Sequence, residues 1–233
     1  MSLAENKFNH DDILIVGDSF CANRVRTTDW PNKLVELLTG ISTTSARGKG
    51  FSGASWWSTS RELKRQLLIS IPKVLIICHT EPNRIPSADN FSLNYSTVFA
   101  EGEQFLLHTI GKNFRIIQEA GRYYYKFLHN DEWHRWTETA WYKELDEIIE
   151  THNIPYVIHL FCFDDCNTDY KFKRGLTSLE ILTSLTESHV YSGKMNHFSQ
   201  EANISVATAI VDMITNHYQD GVTKDFNLLR LCK

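Results

Sequence analysis

The chain has 233 residues, 42% of them hydrophobic and 22% charged, and 24 Lys and Arg against 28 Asp and Glu leave a net charge of −4. That balance fits one large domain with a sizeable core, and it excludes a disordered chain and a general nucleic-acid footprint. No apolar run is long enough to cross a bilayer, and the opening stretch MSLAENKFNHDD has no apolar signal-peptide core, so a cytoplasmic protein is expected.

In chain order, the run DILIVG (12–17) reads as a buried strand that stops at Gly17, Asp18 and Ser19. DWPNKLVELLTG (29–40) reads as a helix, with Asp29 as N-cap, Pro31 in the first turn, Gly40 as the stop, and Leu34, Leu37 and Leu38 on one face. The β-branched ISTTSA (41–46) suggests a second strand. GASWWSTSRELKRQLLIS (53–70) reads as a helix and KVLIICHT (73–80) as a buried strand. The span of about 85–136 is the least regular and reads as an insertion on a single domain covering 1–233. TAWYKELDEIIETHN (139–153) is a helix with Trp141, Leu145, Ile148 and Ile149 on one side; PYVIHLFCF (155–163) is a further buried strand; and SQEANISVATAIVDMITNHY (199–218) is a closing helix capped by Ser199.

Strands alternating with helices predict a parallel sheet, and runs apolar at every position suit strands covered on both sides. The expected class is α/β, a three-layer α/β/α, flavodoxin-like arrangement of about five strands with helices on both faces and an inserted segment. Five cysteines at irregular spacing suit reduced thiols. Cys162 and Cys166 in CFDDC lack a second ligand pair of matching spacing, so no metal is expected, and no other cofactor is implied.

Ligands of an open parallel sheet bind beyond the carboxyl ends of its strands. The polar residues that follow the predicted strands are Gly17, Asp18 and Ser19; Gly48, Gly50 and Gly53; His79, Glu81, Asn83 and Arg84; and Asp164 and Asp165, with His197 just before the last helix. A hydroxyl, a glycine-rich loop, an amide and an imidazole on one rim are the parts of an acyl-transfer site.

GDSF at the end of the first strand resembles the first block of the SGNH (GDSL-like) hydrolases. DWPNKLVELL resembles the helix that follows it there, GKGFSGAS the second block, HTEPNR a degraded third block, and NHFSQEAN the fifth. The resemblance implies a serine esterase acting on a small acyl ester, such as an acetyl group on a carbohydrate or other alcohol. It assigns Ser19 as nucleophile, His197 as general base, and Ser19, Gly53 and Asn83 as oxyanion donors. No nucleic-acid or membrane partner and no cofactor follow from it.

The chain departs from the family where an aspartate is expected three residues before the histidine and Lys194 stands instead. Asp164 and Asp165 are candidate substitutes as supporting acids, and Asp18 reads as a turn stabiliser. Two other readings stay open on the same residues: a binding module on the hydrolase fold, and an O-acyltransferase. His79 competes with His197 for the base, whereas His159, inside a strand, reads as a core histidine. The aromatics of RYYYKFLHNDEWHRWTETAWY (122–142) read as packing for the inserted segment, and Trp56 or Trp57 as a wall of the cleft.

Overall fold

The computed structural model describes residues 8–22, 26–48, 50, 53–86, 92–99, 114–178, 182, 198–218 and 224–226. Its frame is a parallel sheet. Strand β1 (Ile13–Gly17) and strand β2 (Val74–His79) pair in register from Ile13↔Val74 to Gly17↔Cys78. Strand β5 (Tyr156–Phe161) lies on the far edge of β2, with His79 opposite Phe161. Beyond it come β6 (Leu176–Ser178) and β7 (Lys224–Phe226), in spatial order β1-β2-β5-β6-β7. Every residue of β1 and β2 is buried, so the unbroken apolar runs that predict these strands match surfaces covered on both faces.

No strand forms at 41–46. Ile41 is 63% exposed there, and hydroxyl side chains take up the backbone donors. Thr39 Oγ1 accepts from the Ile41 N–H and Thr43 Oγ1 from the Ser45 N–H. Ser and Thr offer the backbone local partners that compete with a ladder. The segment reaches β1 only later, where the Ile15 N–H donates to the Arg47 carbonyl and Gly50 bridges Gly17 in parallel.

Helix α1 (Trp30–Thr39) starts at Asp29 and ends on Gly40 in the left-handed region. Leu34, Val35 and Leu38 form its buried face, while Leu37 lies outside it at 40% exposure. Helix α2 (Trp56–Leu67) is capped by Ser55, which accepts from the Ser58 N–H, and packs on β1. After β2 come the two-residue strands β3 (Ile85–Pro86) and β4 (Ser92–Leu93), paired antiparallel, then α3 (Tyr95–Phe99) and α4 (Phe114–Phe127) packed together.

Helix α5 (Asp131–Thr151) starts well before the expected 139. Asn130 caps it by accepting from the Trp133 N–H, and Asp131 and Glu132 sit in the first turn, where negative charge suits the helix dipole. Helix α6 (Gln200–Asp212), capped by Ser199 as expected, runs into a π-helical turn at Met213–His217 and packs against α1. Asn203 of α6 accepts from the Trp30 N–H at 2.9 Å, which ties the start of α1 to α6.

Candidate active site at the carboxyl edge of the sheet

The end of β1 is shaped by glycine. Gly17 has φ 138°, and a Cβ there would lie 2.1 Å from the Cys78 carbonyl oxygen. Only glycine fits such a close approach at positive φ. The Asp18 N–H then donates to the same Cys78 oxygen, and a short 3-10 turn at Ser19–Cys21 follows. This sequence of events puts the side chains of Asp18 and Ser19 at the carboxyl edge of the sheet.

Asp18 is fully buried, and each of its carboxylate oxygens has partners. Oδ1 accepts from the Ser19 hydroxyl. Oδ2 accepts from Arg84 Nη1 at 2.5 Å and is 3.0 Å from Thr80 Oγ1. Thr80 Oγ1 and Arg84 Nη1 also reach the Ala54 carbonyl oxygen, at 2.8 and 3.1 Å. Burial pushes the Asp18 carboxyl up from the usual carboxylate range, against the pull of the Arg84 guanidinium and of the hydroxyls of Ser19 and Thr80. Burial also works against the charge of Arg84, but Asp18 and Glu81 more than restore it and raise its pKa. The guanidinium lies over the Phe163 ring, 4.8 Å from the centroid, and its Nε donates to Glu81 Oε2 at 3.0 Å.

Asp18 is therefore more than a turn stabiliser: it joins Ser19 to Thr80 and Arg84 across two strand ends. Arg84 is a site residue whose role local sequence patterns do not show. The signal available was an arginine in HTEPNR at a predicted strand's carboxyl end, opposite an aspartate at the neighbouring one.

Ser19 is 7% exposed. Gly53, which precedes α2, has φ 74°. Its neighbour Ala54 gives the carbonyl that meets Thr80 and Arg84, so the glycine loop is bound to the same cluster. Asn83 lies on the turn after β2, with Nδ2 3.4 Å from Asp165 Oδ2. Its amide thus faces Asp165 rather than Ser19. Asp164 and Asp165 are both exposed. The atoms crowded around Asp165, and then the charge of Glu81, push its carboxyl up to about 6. His197 and Lys194 lie outside the described residues.

The inserted segment holds the turn that carries Asn83. The Tyr125 hydroxyl of α4 reaches the carbonyl oxygens of Asn83 at 2.5 Å and Leu93 at 3.0 Å. His134 of α5 donates from Nδ1 to the Pro82 carbonyl oxygen at 3.1 Å and accepts at Nε2 from the Tyr124 hydroxyl at 2.9 Å. A carbonyl only accepts, so the Pro82 contact fixes that tautomer.

The expectation that the aromatics of 122–142 pack inward holds for Tyr124, Tyr125 and His134. It fails for Tyr123, Trp133 and Trp136, which are 57%, 53% and 66% exposed. Trp56 is half-buried against the core, whereas Trp57 is exposed.

His79 does not compete with His197 as the base. It is buried beside His159, and burial, followed by that neighbour, holds it well below the usual histidine range. Cys166 donates from Sγ to the Thr80 carbonyl oxygen at 3.2 Å, and Cys162 is buried with its thiol pushed up to about 12 by desolvation. Among the described residues, no group of His, Cys, Asp and Glu is placed to hold a metal ion, and no helix is long and apolar enough to cross a membrane. No family model, curated protein or solved structure matches the chain.

Proposed function

We propose that the protein is a serine esterase of the SGNH type, on a three-layer, flavodoxin-like α/β/α fold, that hydrolyses a small acyl ester of a carbohydrate or other alcohol. The observation that carries this reading is the setting of Ser19: it stands at the carboxyl end of β1, and its hydroxyl is held by the buried Asp18–Arg84 pair. A free serine is a weak nucleophile and gains reactivity from a positioned proton acceptor.

In this reading the Ser19 hydroxyl swings from Asp18 to His197, which takes its proton as Oγ bonds to the ester carbonyl carbon. The N–H groups of Ser19 and Gly53 and the amide of Asn83, released from Asp165, hold the tetrahedral oxyanion. Collapse breaks the bond to the alkoxy oxygen, and His197 protonates the departing alcohol. Water, giving its proton to His197, adds to the acyl carbon; the bond to Ser19 Oγ then breaks, Oγ takes that proton back from His197, and the carboxylic acid leaves. Asp18 keeps the serine in place between turnovers. A sugar hydroxyl in place of that water would make the same residues an O-acyltransferase.

A fluorophosphonate probe and p-nitrophenyl acetate test the reading. Wild type is labelled at one site and turns over the ester, and Ser19→Ala does neither while keeping its circular dichroism. Absence of labelling in wild type, or equal labelling of Ser19→Ala, removes the esterase. One observation favours the second reading, a binding module without turnover: the Asn83 amide is engaged by Asp165 and not turned to Ser19. Ester binding without labelling or hydrolysis is its signature.

A further inference from the structure

His79 at the end of β2 and His159 in β5 lie edge to edge, their ring planes 11° apart and centroids 5.3 Å apart, with His79 Nε2 3.1 Å from His159 Nδ1. On its other side, His159 Nε2 is 3.2 Å from the Arg174 carbonyl oxygen. A carbonyl oxygen only accepts, so His159 carries its proton on Nε2 and presents a bare lone pair at Nδ1. His79 must then donate from Nε2, which leaves its own Nδ1 as an acceptor. Burial keeps both rings neutral: it pushes His159 down to about 3 and His79 well below the usual range.

The Nδ1 of His79 is buried and has no partner among the described residues. A second atom shares that condition. Glu138 of α5 uses Oε1 to accept from the Tyr142 hydroxyl at 2.7 Å and from the Asn167 N–H at 3.0 Å, while its Oε2 is buried without a partner. His79 is 3% exposed and Glu138 2%. Both line one small cavity, walled also by Trp56, Thr80, Trp141 and Tyr142. The cavity leaves about 10 Å³ for the centre of a water-sized molecule, close to the space that one buried water takes.

Two orphaned atoms on residues that line one water-sized cavity point to one small occupant that hydrogen-bonds to both. With Glu138 as the carboxylate, that occupant gives two hydrogen bonds and is no larger than a water. An unpaired buried polar atom is costly, and structural waters are found where they satisfy such groups. We propose that this cavity is a binding site for a water-sized double hydrogen-bond donor, a single water molecule that donates to Nδ1 of His79 and to Oε2 of Glu138. It completes a chain from the Arg174 carbonyl through His159 and His79 to Glu138, which joins β5, β2 and α5. The chain passes beside Thr80, whose hydroxyl reaches Asp18, so the occupant sits behind the Ser19 cluster without belonging to it. Ammonium has the same donor chemistry and nearly the same size, and the experiment separates the two.

The test uses the full wild-type chain in ammonium-free sodium buffer, so it does not depend on a variant's folding or on esterase activity. A high-resolution crystal structure is expected to show one isolated peak within about 2.7–3.2 Å of both atoms. Nitrogen-15 spectra of the rings are expected to show protons on Nε2 and none on Nδ1 for both histidines. A dry cavity, a proton on Nδ1 of His79, or a peak that appears only after ammonium is added overturns the proposal.

Discussion

The Ser19 hydroxyl donates its hydrogen bond to the carboxylate of Asp18, the residue before it in the chain. The other oxygen of that carboxylate meets Arg84 and Thr80, beyond the end of the neighbouring strand. Adjacent strand ends thus share one buried anion. The side chain at 19 is fixed from below by a charge that is itself neutralised, and this does not depend on what stands at Lys194. In the proposed mechanism, Lys194 bears on how His197 is oriented. It does not affect how the serine is held.

Removing one member of the buried pair should cost more than removing a surface charge. Asp18→Asn leaves the Arg84 guanidinium buried beside a neutral amide, and Arg84→Gln leaves the Asp18 carboxylate without its cation. Arg84→Gln is expected to destabilise the fold by about 3–5 kcal/mol, because the carboxylate left behind is desolvated and uncompensated, and Asp18→Asn by less, because the guanidinium keeps its pairing with Glu81. The double variant should cost less than the sum of the two, since the residues act on each other directly. Urea denaturation of the four proteins measures both statements. Additive losses would show that the pair is not coupled.

Tyr125 offers a test of the inserted segment. Its hydroxyl reaches the carbonyls of Asn83 and Leu93 from α4. Tyr125→Phe keeps the ring and removes the hydroxyl donor, which should destabilise by about 1–2 kcal/mol. If Asn83 is an oxyanion donor, the same change should lower kcat more than it raises KM, because a loosened turn misplaces a group that acts in the transition state. A change confined to KM would place Tyr125 in substrate binding instead.

Strands β1, β2 and β5 were legible because apolar residues at every position leave little choice but a covered strand. ISTTSA misled because its β-branched residues favour a strand only when they have a surface to pack on, and Ile41 faces solvent. The early start of α5 is signalled by Asn130-Asp131-Glu132, a cap followed by acids, whereas the expected start at 139 leaves Trp133 and Trp136 in the irregular inserted segment. The Asp18–Arg84 contact spans 66 positions. It exists because β1 and β2 are neighbours that end together, which no local pattern encodes. The orphaned atoms of His79 and Glu138 are equally invisible before the sheet and α5 are assembled.

Gly17→Ala is the sharpest test of the strand end. The added methyl would lie 2.1 Å from the Cys78 carbonyl oxygen, a backbone atom that cannot swing aside, at a φ of 138°. The strain of that φ alone costs about 1–3 kcal/mol, before any clash. The variant is expected to yield little soluble protein, or to unfold at much lower urea with Ser19 no longer labelled. Wild-type stability would mean that β1 ends differently.

The buried histidines predict how the fold responds to acid. His159 has its pKa lowered in the native state from 6.5 to about 3, and His79 shifts the same way. Below 6.5 the unfolded chain binds these protons and the native chain does not, so protons favour the unfolded state. The contribution is complete above 6.5 and is lost progressively as the pH falls toward 3. For His159 alone the loss amounts to roughly 5 kcal/mol at most, taking about 1.4 kcal/mol per pH unit. Urea midpoints measured across this window should fall with pH in wild type. In His159→Phe, which keeps a flat ring against Phe172, the fall should be shallower. Equal slopes in the two proteins would mean that His159 is solvated and titrates normally.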